Sequence, residues 1–114
     1  MMYTLYGISN CNTVKKAKDW LEDNNIDYQF HDYRKQGLTT ELLESFEAAL
    51  GWEKLLNKQS TSWRKLDDDQ KSNISKQTAL QYMLNTPTLI KRPVLDTGKK
   101  MIIGFKADNY QNEL

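Results

Sequence analysis

The chain has a single cysteine, Cys11, among its 114 residues. One cysteine cannot form a disulfide within the chain, and it cannot build a zinc site from several thiolates. A free thiol is typical of proteins that work in a reducing compartment. The sequence therefore excludes a disulfide-stabilised secreted domain and a cysteine-based zinc site, and we expect no metal cofactor.

The chain also lacks an excess of charge of one sign and any long apolar run. The 16 lysines and arginines nearly balance the 15 aspartates and glutamates, for a net charge of +1. No stretch is long enough to span a bilayer, and the opening residues MMYTLY are too short and too polar for a signal peptide. We therefore expect a cytoplasmic protein that binds neither nucleic acid nor membranes.

What the sequence does have is an apolar pattern whose period changes along the chain. Residues 2–6 predict a strand that stops at Gly7. Helical spacing then runs from Thr13 to the asparagines at 24–25, and alternation at 26–31 predicts a second strand. Because strand, helix and strand follow within about thirty residues, they predict a βαβ unit with parallel strands.

The rest of the chain predicts a helical block followed by a hairpin. Apolar residues at 42–50 and again at 79–84 have helical spacing, so residues 39–85 predict an all-helical block in which Gly51 caps the first helix. Apolar runs at 94–95 and 101–103 predict a hairpin, and a last short helix is predicted at 106–110. The expected α/β fold is a four-stranded mixed sheet with flanking helices, and its length suits one domain.

Cys11 lies where the first predicted strand turns into the first predicted helix. Asn10, Asn12 or Cys11 itself can cap that helix, whose free N–H groups and dipole favour a thiolate. Lys15 and Lys16 add positive charge nearby, against the preference of a helix N-terminus for anions. The alternative is that Cys11 is a small buried hydrophobic residue. Its capping position favours a reactive thiol.

Several separated motifs carry a resemblance to a known family. They are the segment from Gly7 to Ala17 with Asn10 and Cys11, the pair Tyr33-Arg34, and the stretches LGWEKLLNKQSTSWRKL, IKRPVL and IIGFKAD. Together they resemble the arsenate reductase ArsC and Spx family, which has a thioredoxin or glutaredoxin-like fold. Within it the sequence most resembles the YffB type of ArsC-related reductase. The match runs in register over nearly the whole chain.

The resemblance implies an organisation for the chain and roles for its residues. It implies one ArsC-like domain over 1–114, with a thioredoxin-like core at about 1–37 and 86–114 and a helical insert at about 38–85. It also implies that Cys11 is the catalytic cysteine and that Pro93 is a cis-proline facing it.

The resemblance implies further residues of the site. Arg92 would bring its guanidinium to the cysteine, where it can lower the thiol pKa and hold an oxyanion or a carboxylate in a bidentate fork. Asn10, Lys15 and Pro93 are candidates for substrate binding beside the cysteine. Lys58 and Arg64 are weaker basic candidates of the same kind.

The sequence departs from both named activities of the family. Arsenate reductases of this type hold their oxyanion with three arginines, of which only the one matching Arg92 is present; Asn57 and Phe105 fall at or near the other two positions. Each missing charge-assisted hydrogen bond costs roughly 1.5 to 3 kcal/mol, so arsenate is not the expected substrate. Spx-type regulators use a C-x-x-C switch, and here its second position is Val14.

The predicted function is therefore a monothiol oxidoreductase. Cys11 would attack an oxidised sulfur or similar electrophile to form a mixed disulfide, and glutathione would resolve it as co-substrate because the chain has no second cysteine. The alternative is a non-catalytic, Spx-like module that binds RNA polymerase or another protein through the helical block.

Overall fold

The computed structural model describes residues 3–9 and 11–114 and divides the chain into two compact units. The first unit comprises Met1–Gly37 and Arg92–Leu114, and the second comprises Leu38–Lys91. Residues 86–91, which the sequence analysis placed with the sheet, thus group with the helices of the second unit.

The first unit is built around a four-stranded mixed sheet. Its elements in chain order are β1 (Tyr3–Gly7), α1 (Asn12–Asp23), β2 (Tyr28–Asp32), α2 (Tyr33–Gln36), β3 (Val94–Asp96), β4 (Met101–Ile103) and α8 (Ala107–Glu113). The strand order is β2-β1-β3-β4. β1 pairs with β2 in parallel and with β3 antiparallel, and β3 pairs with β4 antiparallel. The predicted mixed sheet and βαβ unit are confirmed.

Helix α1 covers one side of this sheet because its apolar residues recur at helical spacing. Val14, Ala17 and Leu21 are fully buried and pack with Leu5 of the central strand β1. The remaining buried members of this core cluster are Leu95, Ile102 and Tyr110. Burying three residues along one helix face fixes the position of α1, and therefore of its first turn, relative to β1.

The second unit is helical. Its elements are α3 (Thr40–Leu50), α4 (Trp52–Leu55), α5 (Thr61–Arg64), α6 (Asp68–Ser72), α7 (Lys76–Asn85) and a short 3-10 helix (Pro87–Leu89). The chain beyond the 3-10 helix pairs back on the segment after α4 through an isolated antiparallel bridge between Leu56 and Ile90. The predicted helical block is confirmed.

Helix ends in the second unit follow local capping chemistry. The Thr39 side chain accepts the N–H of Leu42 and starts α3, and Gly51 ends it with φ of 85°, a value that glycine adopts without strain. Helix α6 has a complete capping box between Asp67 and Gln70.

Several short helices were not predicted from the sequence. They are α5 and α6 within the predicted helical block, and α2 and the 3-10 helix outside it, because apolar periodicity cannot be read from three to five residues. None of the helices among the described residues is long and apolar enough to cross a membrane.

Candidate thiol site

Cys11 is the N-cap residue of α1. Its backbone is extended, with φ of −142° and ψ of 124°, and its carbonyl oxygen accepts the N–H of Lys15 at 3.0 Å. Within the described residues the sulfur makes no capping hydrogen bond of standard geometry, and the first turn of α1 carries no acidic side chain. The thiol is half-buried. It lies at the positive end of the helix dipole, and no acidic side chain in the first turn offsets that charge.

The Arg92 side chain contacts the Cys11 sulfur, although Arg92 begins the second of the two chain segments that form the first unit. The guanidinium acts on the thiol both as a hydrogen-bond donor and as a positive charge. Arg92 precedes β3 and is joined to the buried Pro93 by a cis peptide bond. The two residues that the resemblance assigns to catalysis thus lie together, and the cis bond that it implied is present.

The balance of forces at Cys11 favours the thiolate. Partial burial alone would raise the pKa of the thiol. The backbone N–H of Val14, the hydrogen bond and charge of Arg92, and the N–H of Thr13 outweigh that effect and hold the pKa of Cys11 below its ordinary value. The direction agrees with the expectation from the capping position.

Asp32 braces the loop that leads to Cys11, and the sequence analysis did not identify it. Its carboxylate is only 3 % exposed and accepts the N–H of Ser9 at 3.3 Å and the N–H of Arg34 at 2.8 Å. Burial alone would raise the pKa of Asp32. The hydrogen bonds from these N–H groups lower it by more, so the net pKa lies below its ordinary value and the carboxyl is ionised at neutral pH. An Asp directly before a short helix is a local N-cap signal, whereas the bond to Ser9 spans 23 residues.

An aromatic cluster lies beside Arg92. The His31 ring stacks on Tyr6, with centroids 5.0 Å apart, and meets the edge of Tyr33 at 6.3 Å. Burial raises the pKa of Tyr33, although the nearby charge of Arg92 acts in the opposite direction. The phenol of Tyr33 therefore stays neutral beside Arg92.

The remaining predicted binding residues are distributed over the chain. Lys15 is exposed on α1, and Asn10 lies outside the described residues. Lys58 and Arg64 are exposed residues of the helical unit; the Lys58 ammonium lies 5.7 Å from the centre of the Trp63 ring.

The described part of the chain holds no group of three or more His, Cys, Asp or Glu side chains that could bind a metal ion.

The strand order, with a helix between the two parallel strands, gives the first unit a thioredoxin-like fold. The fold matches that of a glutaredoxin from Archaeoglobus fulgidus with a TM-score of 0.53 over 96% of this chain and 82% of that chain, at 15% sequence identity. The chain belongs to the ArsC family, whose model matches residues 6–112.

Individual relatives cover almost the whole chain. An uncharacterized protein of Haemophilus influenzae is 49% identical over 110 residues, which is 96% of each sequence. A solved structure of a YFFB protein superimposes with a TM-score of 0.92 at 44% identity and covers 98% of each chain. The global transcriptional regulator Spx of Streptococcus pneumoniae strain R6 is 30% identical over 109 residues, which is 94% of this chain and 81% of Spx. The proteins similar to this chain therefore include a transcriptional regulator.

Proposed function

We propose that this protein is a glutathione-dependent monothiol oxidoreductase whose nucleophile is Cys11. The observation that carries the proposal is the meeting of Arg92 with a half-buried thiol at the start of α1, which lowers the pKa of that thiol. A lone cysteine with a lowered pKa and partial exposure is suited to nucleophilic attack, whereas a structural cysteine is buried and inert.

The reaction consists of two thiol–disulfide exchanges. The Cys11 thiolate attacks the glutathione sulfur of a glutathione mixed disulfide; a new S–S bond forms to Cys11, and the substrate leaves as its thiolate. A second glutathione thiolate then attacks the adduct, releasing glutathione disulfide and restoring the Cys11 thiolate. In sum, one reduced glutathione is consumed: it leaves as glutathione disulfide together with the glutathionyl group of the substrate, and the substrate sulfur is reduced to a thiolate that takes a proton from solvent.

Arg92 serves two steps in this scheme. It stabilises the Cys11 thiolate before attack, and it stabilises the same thiolate as the leaving group when glutathione resolves the adduct. The guanidinium can also pair with a glutathione carboxylate in a bidentate fork. We propose the cytoplasm as its location because glutathione is kept reduced there.

The other predicted residues receive binding roles in this proposal. The backbone beside Pro93 would hydrogen-bond the extended tripeptide, and Lys15 would contact it from the first turn of α1. Asn10, Lys58 and Arg64 are proposed as further substrate-binding residues.

Arsenate is not the proposed substrate. Asn57 and Phe105 stand at or near two positions where the resemblance expects arginine. The Phe105 ring instead meets the edge of Tyr110, with centroids 4.8 Å apart, and packs against the core of the first unit. One arginine gives a doubly charged oxyanion too few charge-assisted hydrogen bonds. Steady arsenate turnover with glutathione and glutaredoxin supplied would contradict this assignment.

The proposal is tested by treating the folded protein with oxidised glutathione and measuring intact mass. We expect one glutathione adduct per chain, which excess reduced glutathione removes and which Cys11→Ser abolishes. An adduct that forms only after denaturation would overturn the proposal, since it would mean that the sulfur is closed to a tripeptide.

A second candidate function is a non-catalytic, Spx-like binding module. The observation that favours it is the 30% identity to Spx, a global transcriptional regulator, over 94% of this chain. RNA polymerase is the partner proposed in this case, with the helical unit as the contact surface.

The two candidates differ in their need for the thiol. A pull-down from cell extract with Cys11→Ser as bait should retain RNA polymerase if the binding module is correct. If Cys11→Ser loses the thiol chemistry and the pull-down retains no RNA polymerase, the result favours the oxidoreductase.

A further inference from the structure

Gly7, the last residue of β1, is required for space and not for backbone conformation. A Cβ atom built on Gly7 would lie 2.8 Å from Cγ2 of Val14, 3.6 Å from its Cγ1 and 3.9 Å from Cε1 of Phe30. Real Cβ atoms do not approach another carbon as closely as the first of these distances. Gly7 is not among the glycines with positive φ, so the contact with Val14 is what distinguishes this position.

The structure on both sides of this contact is stiff. Gly7 is paired with Asp32 in the parallel β1–β2 ladder, so its backbone cannot retreat without breaking that pairing. Val14 is 0 % exposed and packed in the core cluster, and a β-branched side chain in a helix has one strongly preferred rotamer. A side chain at position 7 would therefore displace the first turn of α1 away from the sheet.

That first turn supplies the N–H groups that act on the thiol. Val14 and Thr13 present their backbone N–H groups to the Cys11 sulfur. We propose that Gly7 is a positioning residue for Cys11: by leaving room for Val14 it seats the first turn of α1 where its N–H groups reach the sulfur. The inference rests on the proposed function only in taking Cys11 as the reacting group.

The test compares three variants by the pH profile of Cys11 alkylation with a small reagent. Gly7→Ala should move the midpoint upward and slow alkylation about three- to tenfold at a fixed pH below the midpoint. Val14→Ala keeps the N–H group and removes both Cγ atoms, and it supplies the reference midpoint for the double variant. The double variant should return to that midpoint because the new Cβ atom then occupies the space that the Cγ atoms left.

A control separates positioning from a general loss of stability. Ala79→Val overpacks a fully buried alanine of the helical unit and should lower the melting temperature without moving the alkylation midpoint. An unchanged midpoint in Gly7→Ala, or a double variant that retains the shifted midpoint, would overturn the inference. If Gly7→Ala does not fold, the double variant must still fold and share the midpoint of Val14→Ala; its failure would also overturn the inference.

Failure of this inference is distinguishable from failure of the proposed function. A parent midpoint at or above about 8.5, the ordinary value for cysteine, would contradict the nucleophile assignment whatever the variants do. A low parent midpoint that Gly7→Ala leaves unchanged would contradict only the role of Gly7.

Discussion

The first turns of α1 and α7 differ in how their backbone N–H groups are capped. At α7, Ser75 and Thr78 form a capping box in which each side chain accepts the backbone N–H of the other residue. At α1, the N-cap is Cys11, which makes no capping hydrogen bond of standard geometry with the described residues, although the N–H groups of Val14 and Thr13 act on its sulfur. Lys15 and Lys16 follow, with no acidic residue in the first turn. Of these two helices, the one with the weaker cap carries the thiol.

The difference teaches how a reactive group is supported. Satisfied N–H groups, as in the α7 box, contribute stability, whereas N–H groups left available can stabilise a charge that appears during a reaction. We interpret the start of α1 as giving up capping stability in exchange for a lowered thiol pKa.

The largest expected effect comes from replacing the weak cap by a good one. Cys11→Ser should abolish the glutathione adduct and at the same time raise the stability of the folded protein by about 0.5 to 1 kcal/mol, because serine is a preferred N-cap. Intact mass and denaturant unfolding near pH 5 measure the two effects. A variant that is less stable than the parent there would contradict this interpretation of the cap.

The stability gain should depend on pH. Because the pKa of Cys11 is lowered on folding, the unfolded chain binds the thiol proton more tightly, and the parent gains stability as pH rises from the folded pKa to the unfolded value of about 8.5. Serine does not titrate in this range. The advantage of Cys11→Ser should therefore be greatest in acid and shrink toward pH 8.5.

Removing the charge beside the thiol should have the next largest effect. Arg92→Leu should raise the alkylation midpoint and slow the reaction roughly tenfold at a fixed pH below it, since hydrogen bonds to charged groups contribute about 1.5 to 3 kcal/mol and partial exposure weakens this one. Arg34→Leu, which removes an exposed guanidinium two residues after the end of β2, is the matched control and should leave the midpoint in place.

Breaking the good cap should reduce stability without touching the chemistry. Ser75→Ala removes the acceptor for the Thr78 N–H and should cost about 1 kcal/mol in unfolding free energy. The alkylation profile of Cys11 should stay that of the parent. A shifted midpoint would show that the helical unit influences the thiol.

The smallest effect is expected at the buried hydroxyl of Tyr110, in the core of the first unit. Tyr110 is 0 % exposed, its ring meets the edges of Trp20 and Phe105, and its hydroxyl has no hydrogen-bond partner among the described residues. Tyr110→Phe removes a buried polar atom and should be neutral or stabilising by up to about 1 kcal/mol in denaturant unfolding. Clear destabilisation would mean that the hydroxyl has a partner, such as a buried water.

Local patterns in the sequence were sufficient to predict most of the fold. The buried positions of α1 and the alternation in β2 carry their own periodicity, so element type and parallel pairing could be predicted and are confirmed. The polar stretch that contains α5 and α6 has too few apolar residues for a period, although Asp67 followed by Gln70 was a readable capping signal.

The candidate site was less accessible to sequence reasoning. The position of Cys11 before a helix pointed to a reactive thiol, but the meeting of Arg92 with it was implied only by the family resemblance. The bond from Ser9 to Asp32 and the contact of Gly7 with Val14 depend on how strand and helix are packed, and no spacing rule predicts them.

The Asp32 carboxylate also has a consequence for folding order. It holds the residue two positions before the thiol only once β2 lies beside β1, a contact between residues 23 positions apart in sequence. Closing such a loop costs chain entropy that a local helix turn does not. Arg92 acts on the same thiol from 81 positions further along the chain, so the full lowering of the Cys11 pKa requires β3 beside β1 as well as a completed βαβ unit.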